Sequence, residues 1–150
     1  MDKRVLEERL ARIDPRPAQN KNCIGTALYL LGYIDEDVGY STIFHESIEE
    51  FLKKCMSVNN LAVADLVVFA YLWNNVAAHM AVVRDQNTGI LCHREGFDHP
   101  FVNSITMEGL EVQGYSSRDY MIKFYQLPSG LRFEVEESKT HLSTVAAPCK

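Results

Sequence analysis

Residues 77–94 read Ala77-Ala78-His79-Met80-Ala81-Val82-Val83-Arg84-Asp85-Gln86-Asn87-Thr88-Gly89-Ile90-Leu91-Cys92-His93-Arg94. The two ends of this stretch, 77–84 and 90–94, are short apolar runs of strand length, and the polar 85–89 segment between them has turn chemistry. The spacing predicts an antiparallel hairpin. Strict alternation puts Ala77, His79, Ala81 and Val83 on one face, so the His79 imidazole is expected to emerge from a surface of small residues suited to a packed helix. His93 lies on the neighbouring strand. Any register in which the paired residue numbers sum to an even value puts both histidines on the same face; for a sum of 172 they are directly opposite and for 174 offset by two, about 5 and 7–8 Å apart.

Working outward, 65–71 is apolar and β-branched and reads as a strand, as does 120–127; after a Pro128-Ser129-Gly130 turn, Leu131, Phe133 and Val135 alternate with charges as a further strand. Upstream the period changes. Leu6, Leu10 and Ile13 mark an amphipathic helix over 2–13 that Asp14-Pro15-Arg16-Pro17 terminates. Asn22 is placed to cap a second helix over 23–31, with Gly32 as its stop. A third helix is predicted from about 42 to 57, ending before Asn59-Asn60, and 95–118 reads as a long connection with short elements inside it. Helices first and an antiparallel meander after them make an α+β fold, in one domain over 1–135 with a flexible C-terminal tail over 136–150.

Composition narrows the function classes. A chain of 150 residues with 47% apolar and 23% charged residues is long enough for one core of ordinary globular type. The net charge of −5, with 15 Lys and Arg spread along the chain, provides no basic patch for nucleic acid. No run approaches the roughly 18 apolar residues of a membrane span, and residues 1–14 do not resemble a signal peptide. Cys23, Cys55, Cys92 and Cys149 are far apart and form no CxxC pair. That pattern suits reduced thiols and a cytoplasmic location better than a disulfide scaffold or zinc ribbon.

Chemistry concentrates at Cys23. A cysteine attacks carbonyl carbon as the thiolate, and a position in the first turn of a capped helix favours the anion through unpaired N–H groups and the helix dipole. It also puts the Cys23 backbone N–H in position to serve as an oxyanion-hole donor. His79 is the candidate base and His93 the group that holds its other nitrogen. Gln19 and Asn22, close to Cys23 in sequence, are candidates for the second oxyanion donor, and Trp73 is a candidate wall of a substrate site.

Asn22-Cys23-Ile24-Gly25-Thr26-Ala27-Leu28-Tyr29, then Asp65-Leu66-Val67-Val68-Phe69, then Ala78-His79-Met80-Ala81-Val82-Val83, then Ile90-Leu91-Cys92-His93-Arg94-Glu95-Gly96 resemble, in order and approximate spacing, the successive blocks of NlpC-type papain-like cysteine peptidases. The resemblance covers residues 20–96. It implies a papain-like fold with N-terminal helices packed on an antiparallel sheet or partly closed barrel, and a Cys23–His79–His93 triad. It implies an amidase or peptidase that acts on a small peptide or other amide through a thioester, with no cofactor and no metal. Where the family usually has Asp-Cys-Ser/Thr and His-Val-Gly, this chain has Asn22-Cys23-Ile24 and His79-Met80-Ala81. The alternatives are a thiol acyltransferase of the same superfamily, an inactive binding module, or a zinc-binding module built on Cys23, His79 and His93 with or without Cys92, although close paired ligand spacing is lacking.

Overall fold

In the computed structural model, which describes residues 1–39 and 45–128, Asp2 starts α1 (Lys3–Arg12) by accepting the Arg4 N–H. Helix α2 (Cys23–Leu30) starts at Asn22, whose Oδ1 accepts the Gly25 N–H at 2.9 Å. It ends before Gly32, whose φ of +89° is the left-handed conformation that favours glycine at a helix stop. Helix α3 (His45–Lys53) is followed by β1 (Met56–Val58), so the third predicted helix ends earlier than its apolar stripe suggested. Then come β2 (Leu66–Tyr71), β3 (Ala77–Asp85) and β4 (Ile90–Arg94), close to the predicted bounds.

The 95–118 segment contains two elements that the sequence left undefined. They are β5 (Phe101–Ile105) and the short α4 (Met107–Val112), capped by Thr106 through the Gly109 N–H. Strand β6 spans Tyr120–Gln126. The predicted strand over 131–135 and the tail over 136–150 lie outside the described residues.

Among the described residues, six strands form one antiparallel sheet in the order β1-β6-β2-β3-β4-β5. Strands β2 to β5 are a meander, while β6 returns to insert between β1 and β2. The sheet is not closed into a barrel, and with the helices it makes the expected α+β class.

Residues 77–83 of β3 are buried without exception, which requires cover on both faces. On one side Leu66, Val68, Met80, Val82 and Cys92 pack with Ile24, Ala27 and Leu28 of α2 and with Leu6 of α1. On the other, Val67, Phe69, Ala81, Val83 and Leu91 pack with Leu110 of α4 and Tyr115. This corrects the expected docking of α2, which covers Met80 and Val82 and not the Ala81 and Val83 face. Alternation alone could not choose, because both faces of β3 are apolar. An irregularity in the β2–β3 pairing, where Phe69 faces His79 but Ala70 faces Ala77, also moves Ala77 to the α2 side.

Asp65 ties the start of β2 to two other segments: one carboxylate oxygen accepts the Leu127 N–H at 2.8 Å and the other accepts Gln86 at 3.2 Å. The loop through residues 37–39 crosses the first turn of α2 so closely that a Cβ on Gly25 would lie 1.7 Å from the Val38 carbonyl oxygen. We expect Gly25→Ala to cost about 1–3 kcal/mol through overpacking against backbone. Thermal unfolding is the check, and an unchanged midpoint would mean that the 37–39 loop yields freely.

Candidate active site

Cys23 occupies the first position of α2, just past the Asn22 cap, as the spacing predicts. The Thr26 N–H donates to the Asn22 carbonyl oxygen at 3.0 Å and the Gly25 N–H to its side chain, so Asn22 serves the helix start from both ends. Cys23 is only 1% exposed, and its Sγ lies 3.9 Å from the Ala78 carbonyl oxygen. The thiol position is therefore next to the peptide that leads into His79. The sulfur is disulfide-bonded in this structure, whereas Cys55 and Cys92 are free thiols. The expectation of reduced thiols thus does not hold for Cys23.

His79 and His93 meet across the β3–β4 hairpin. Val82 pairs with Cys92 and Val83 with Leu91, an even-sum register that offsets the two histidines by two positions on one face. His79 Nε2 and His93 Nδ1 are 2.8 Å apart, with the rings nearly perpendicular. Tyr115, in the segment that follows α4, stacks on His79 with ring centroids 4.2 Å apart and an interplanar angle of 15°. Phe69 is the second aromatic neighbour, 5.8 Å away. Sequence reasoning missed Tyr115 because its segment had no assigned element. The signal was Gly114, whose φ of +108° ends α4 and turns the chain so that Tyr115 is buried over the sheet.

The pair is buried, with His79 at 0% and His93 at 2% exposure. Burial pulls the His79 pKa well below its ordinary value, and the neighbouring His93 adds to the effect. Burial likewise lowers His93 to about 4, against an opposing contribution from the nearby Gln113 side chain. Both rings are therefore neutral at pH 7, and one proton must sit between Nε2 of His79 and Nδ1 of His93. If His79 donates it, His79 Nδ1 is left with a basic lone pair; if His93 donates it, His79 Nδ1 carries the proton. The outer nitrogens, His79 Nδ1 and His93 Nε2, are buried without a hydrogen-bond partner. Buried polar atoms left in this state are uncommon and mark a place where chemistry or a ligand can be served.

Gln19 is on an exposed turn before α2, and Asn22 is committed to capping. Trp73, in the connection between β2 and β3, is 80% exposed with its ring 6.1 Å from that of Tyr71. Among the described residues no group of three or more His, Cys, Asp and Glu side chains is arranged to hold a metal ion. No helix among them is long and apolar enough to cross a membrane. Comparison with protein-family models, curated proteins and solved structures finds no match to this chain.

The burial of the histidine pair has a pH consequence. In the unfolded chain both rings take up protons near pH 6.5, but folded His93 does so only near pH 4 and His79 is also depressed. The unfolded state therefore binds more protons in between. The stability these rings contribute is complete above about pH 6.5 and is lost as pH falls towards 4. Urea unfolding should show a loss on the order of 4 kcal/mol between pH 7 and 5, about 2 kcal/mol from each ring. Replacing the pair together (His79→Phe with His93→Leu) should flatten that slope; an unchanged slope would assign the acid sensitivity to other groups.

Proposed function

We propose that the protein is a cysteine-dependent hydrolase of small peptides or related amides, with Cys23 as nucleophile, His79 as base and His93 as the group that orients it. The observation that carries the reading is the unpartnered Nδ1 of a histidine whose Nε2 is already held by a second histidine, one peptide unit from the carbonyl that Cys23 approaches. Thiol acyl transfer needs a base held at one nitrogen and open at the other. The His79 ring packs on Phe69 and Tyr115, on the face of β3 away from the α2 layer that holds Cys23, so the reading requires that the ring turn to the Cys23 side of the strand.

In the reduced protein, His79 Nδ1 takes the Cys23 proton and the thiolate attacks the amide carbon. The resulting tetrahedral oxyanion collapses to a thioester as the imidazolium gives its proton to the leaving amine. Water, deprotonated by the same nitrogen, then releases the acid and restores the thiol. The tautomer in which His79 donates Nε2–H to His93 is the one that permits this, and His93 Nδ1 holds it. A neutral His79 at pH 7 is ready to accept a proton, and the thiolate offsets the charge that its buried ring then acquires. The first turn of α2 adds a dipole favourable to the anion. The reading includes a papain-like architecture and, as wall of a substrate site, the exposed Trp73 ring. An amine or alcohol in place of water would make the same centre an acyltransferase.

Complete burial of Cys23, His79 and His93 favours a second reading, a protein that keeps this cluster as a binding or core feature without turnover. Mass spectrometry separates the two. The reduced protein is incubated with acyl-directed electrophiles and a panel of short peptide amides, and adducts are mapped to individual cysteines. We expect acylation at Cys23 in preference to Cys55 and Cys92, since burial pushes the Cys55 thiol up to about 11 and Cys92 up to about 12. Turnover should disappear in Cys23→Ala and His79→Ala. In His93→Ala it should fall by about 10²–10⁴-fold without vanishing, as is usual for loss of help to a general base. Full turnover in Cys23→Ala would end the proposal.

A further inference from the structure

Arg94 is the residue immediately after His93 and the last of β4, and its side chain is completely buried. Buried arginines are rare unless every donor is used. Here all five are engaged. Nε donates to Thr26 Oγ1 at 3.1 Å; Nη1 donates to the carbonyl oxygens of Arg16 and His99 at 3.2 and 2.9 Å; Nη2 donates to the Asp14 carbonyl oxygen at 3.1 Å and to Asp37 Oδ2 at 3.2 Å. The Thr26 hydroxyl in turn donates to Asp37 Oδ1 at 2.6 Å, and Lys21 Nζ lies 3.7 Å from Asp37 Oδ2.

The partners have a common address. Thr26 is three residues beyond Cys23 on the same helix, and residues 14–16 and 21 belong to the segment that delivers the chain to it. Asp37 anchors the loop that presses on Gly25. A single planar guanidinium thus joins the strand that carries His93 to the chain on both sides of Cys23. We propose that Arg94, acting through Thr26 and Asp37, is a positioning residue that holds the Cys23-bearing turn of α2 in register with the His79–His93 pair. The inference rests on the thiol-hydrolase reading above. A lysine cannot replace this fork, because its ammonium is a point charge with three donors. A valine at 26 removes the hydroxyl bridge while keeping the shape, and a serine keeps the bridge.

The test is the pH profile of iodoacetamide alkylation, read cysteine by cysteine in the reduced full chain for wild type, Thr26→Val, Thr26→Ser and Arg94→Lys. Wild type should alkylate Cys23 with an apparent pKa below the ~8.5 of an ordinary thiol. In Thr26→Val that value should rise by about one unit, slowing Cys23 about tenfold at pH 6.5 while Cys55 is unchanged. Thr26→Ser should restore the wild-type profile, and Arg94→Lys should move it further than Thr26→Val does. A merely structural role would lower the melting temperature and leave the pH profile of Cys23 where it was. Wild-type profiles in folded Thr26→Val and Arg94→Lys would overturn the inference, and the Thr26 pair decides it if Arg94→Lys fails to fold. An ordinary Cys23 pKa in wild type itself would instead remove the thiol-hydrolase reading, and the positioning role with it.

Discussion

Every layer of this molecule is built on β3, a strand whose residues 77–83 are closed off from water on both faces. A doubly covered strand in an antiparallel sheet demands a helix on one side and something equally apolar on the other. Helices α1 and α2 supply the first through Leu6, Ile24, Ala27 and Leu28. Leu110 and Tyr115 supply the second, and the aromatic packing of Phe69 and Tyr115 belongs to that layer. The two histidines are placed within it. Their rings are at once part of an apolar layer and its main unsatisfied polar feature.

That dual character has an energetic side. A neutral imidazole buried against Tyr115 and Phe69 is tolerated because one nitrogen of each ring is satisfied by the other ring. A charged one is not, since desolvation and the neighbouring ring both oppose the proton. The arrangement makes the site neutral when empty and leaves one nitrogen of each ring open. On the opposite side, Arg94 solves the reverse problem. Its permanent charge is buried only because Asp37 pairs with it and three carbonyl oxygens and a hydroxyl saturate the remaining donors. Successive residues, 93 and 94, point to opposite faces of β4 and serve two different polar networks.

Much of this was legible in the chain. The hairpin at 77–94 announced itself because both strands are short, apolar and separated by turn residues, and a polar turn permits little else. The Asn22 cap and the Gly32 stop bounded α2 because helix termini leave orphan groups that only certain side chains and conformations satisfy. Segment 95–118 was not legible. Strand β5 is half exposed and carries Asn103 and Ser104, so its period is faint, and α4 has only six residues and one buried anchor, Leu110. Such elements are stabilised by what they dock against more than by their own pattern.

From the sequence alone came the α+β class, the bounds of the central strands, the capped start at Cys23, and the condition that an even register would bring His79 and His93 together. Each follows from local chemistry or from the two-residue period of a strand. Tertiary structure alone decided which face of β3 receives α2, because both faces are apolar and periodicity carries no label for either. It alone inserted β6 between β1 and β2, set Tyr115 over His79, and drew the carbonyl oxygens of residues 14, 16 and 99 around Arg94. Those contacts join backbone groups to side chains far apart in the chain, and a backbone carbonyl leaves no signature in the identity of the residue that bears it.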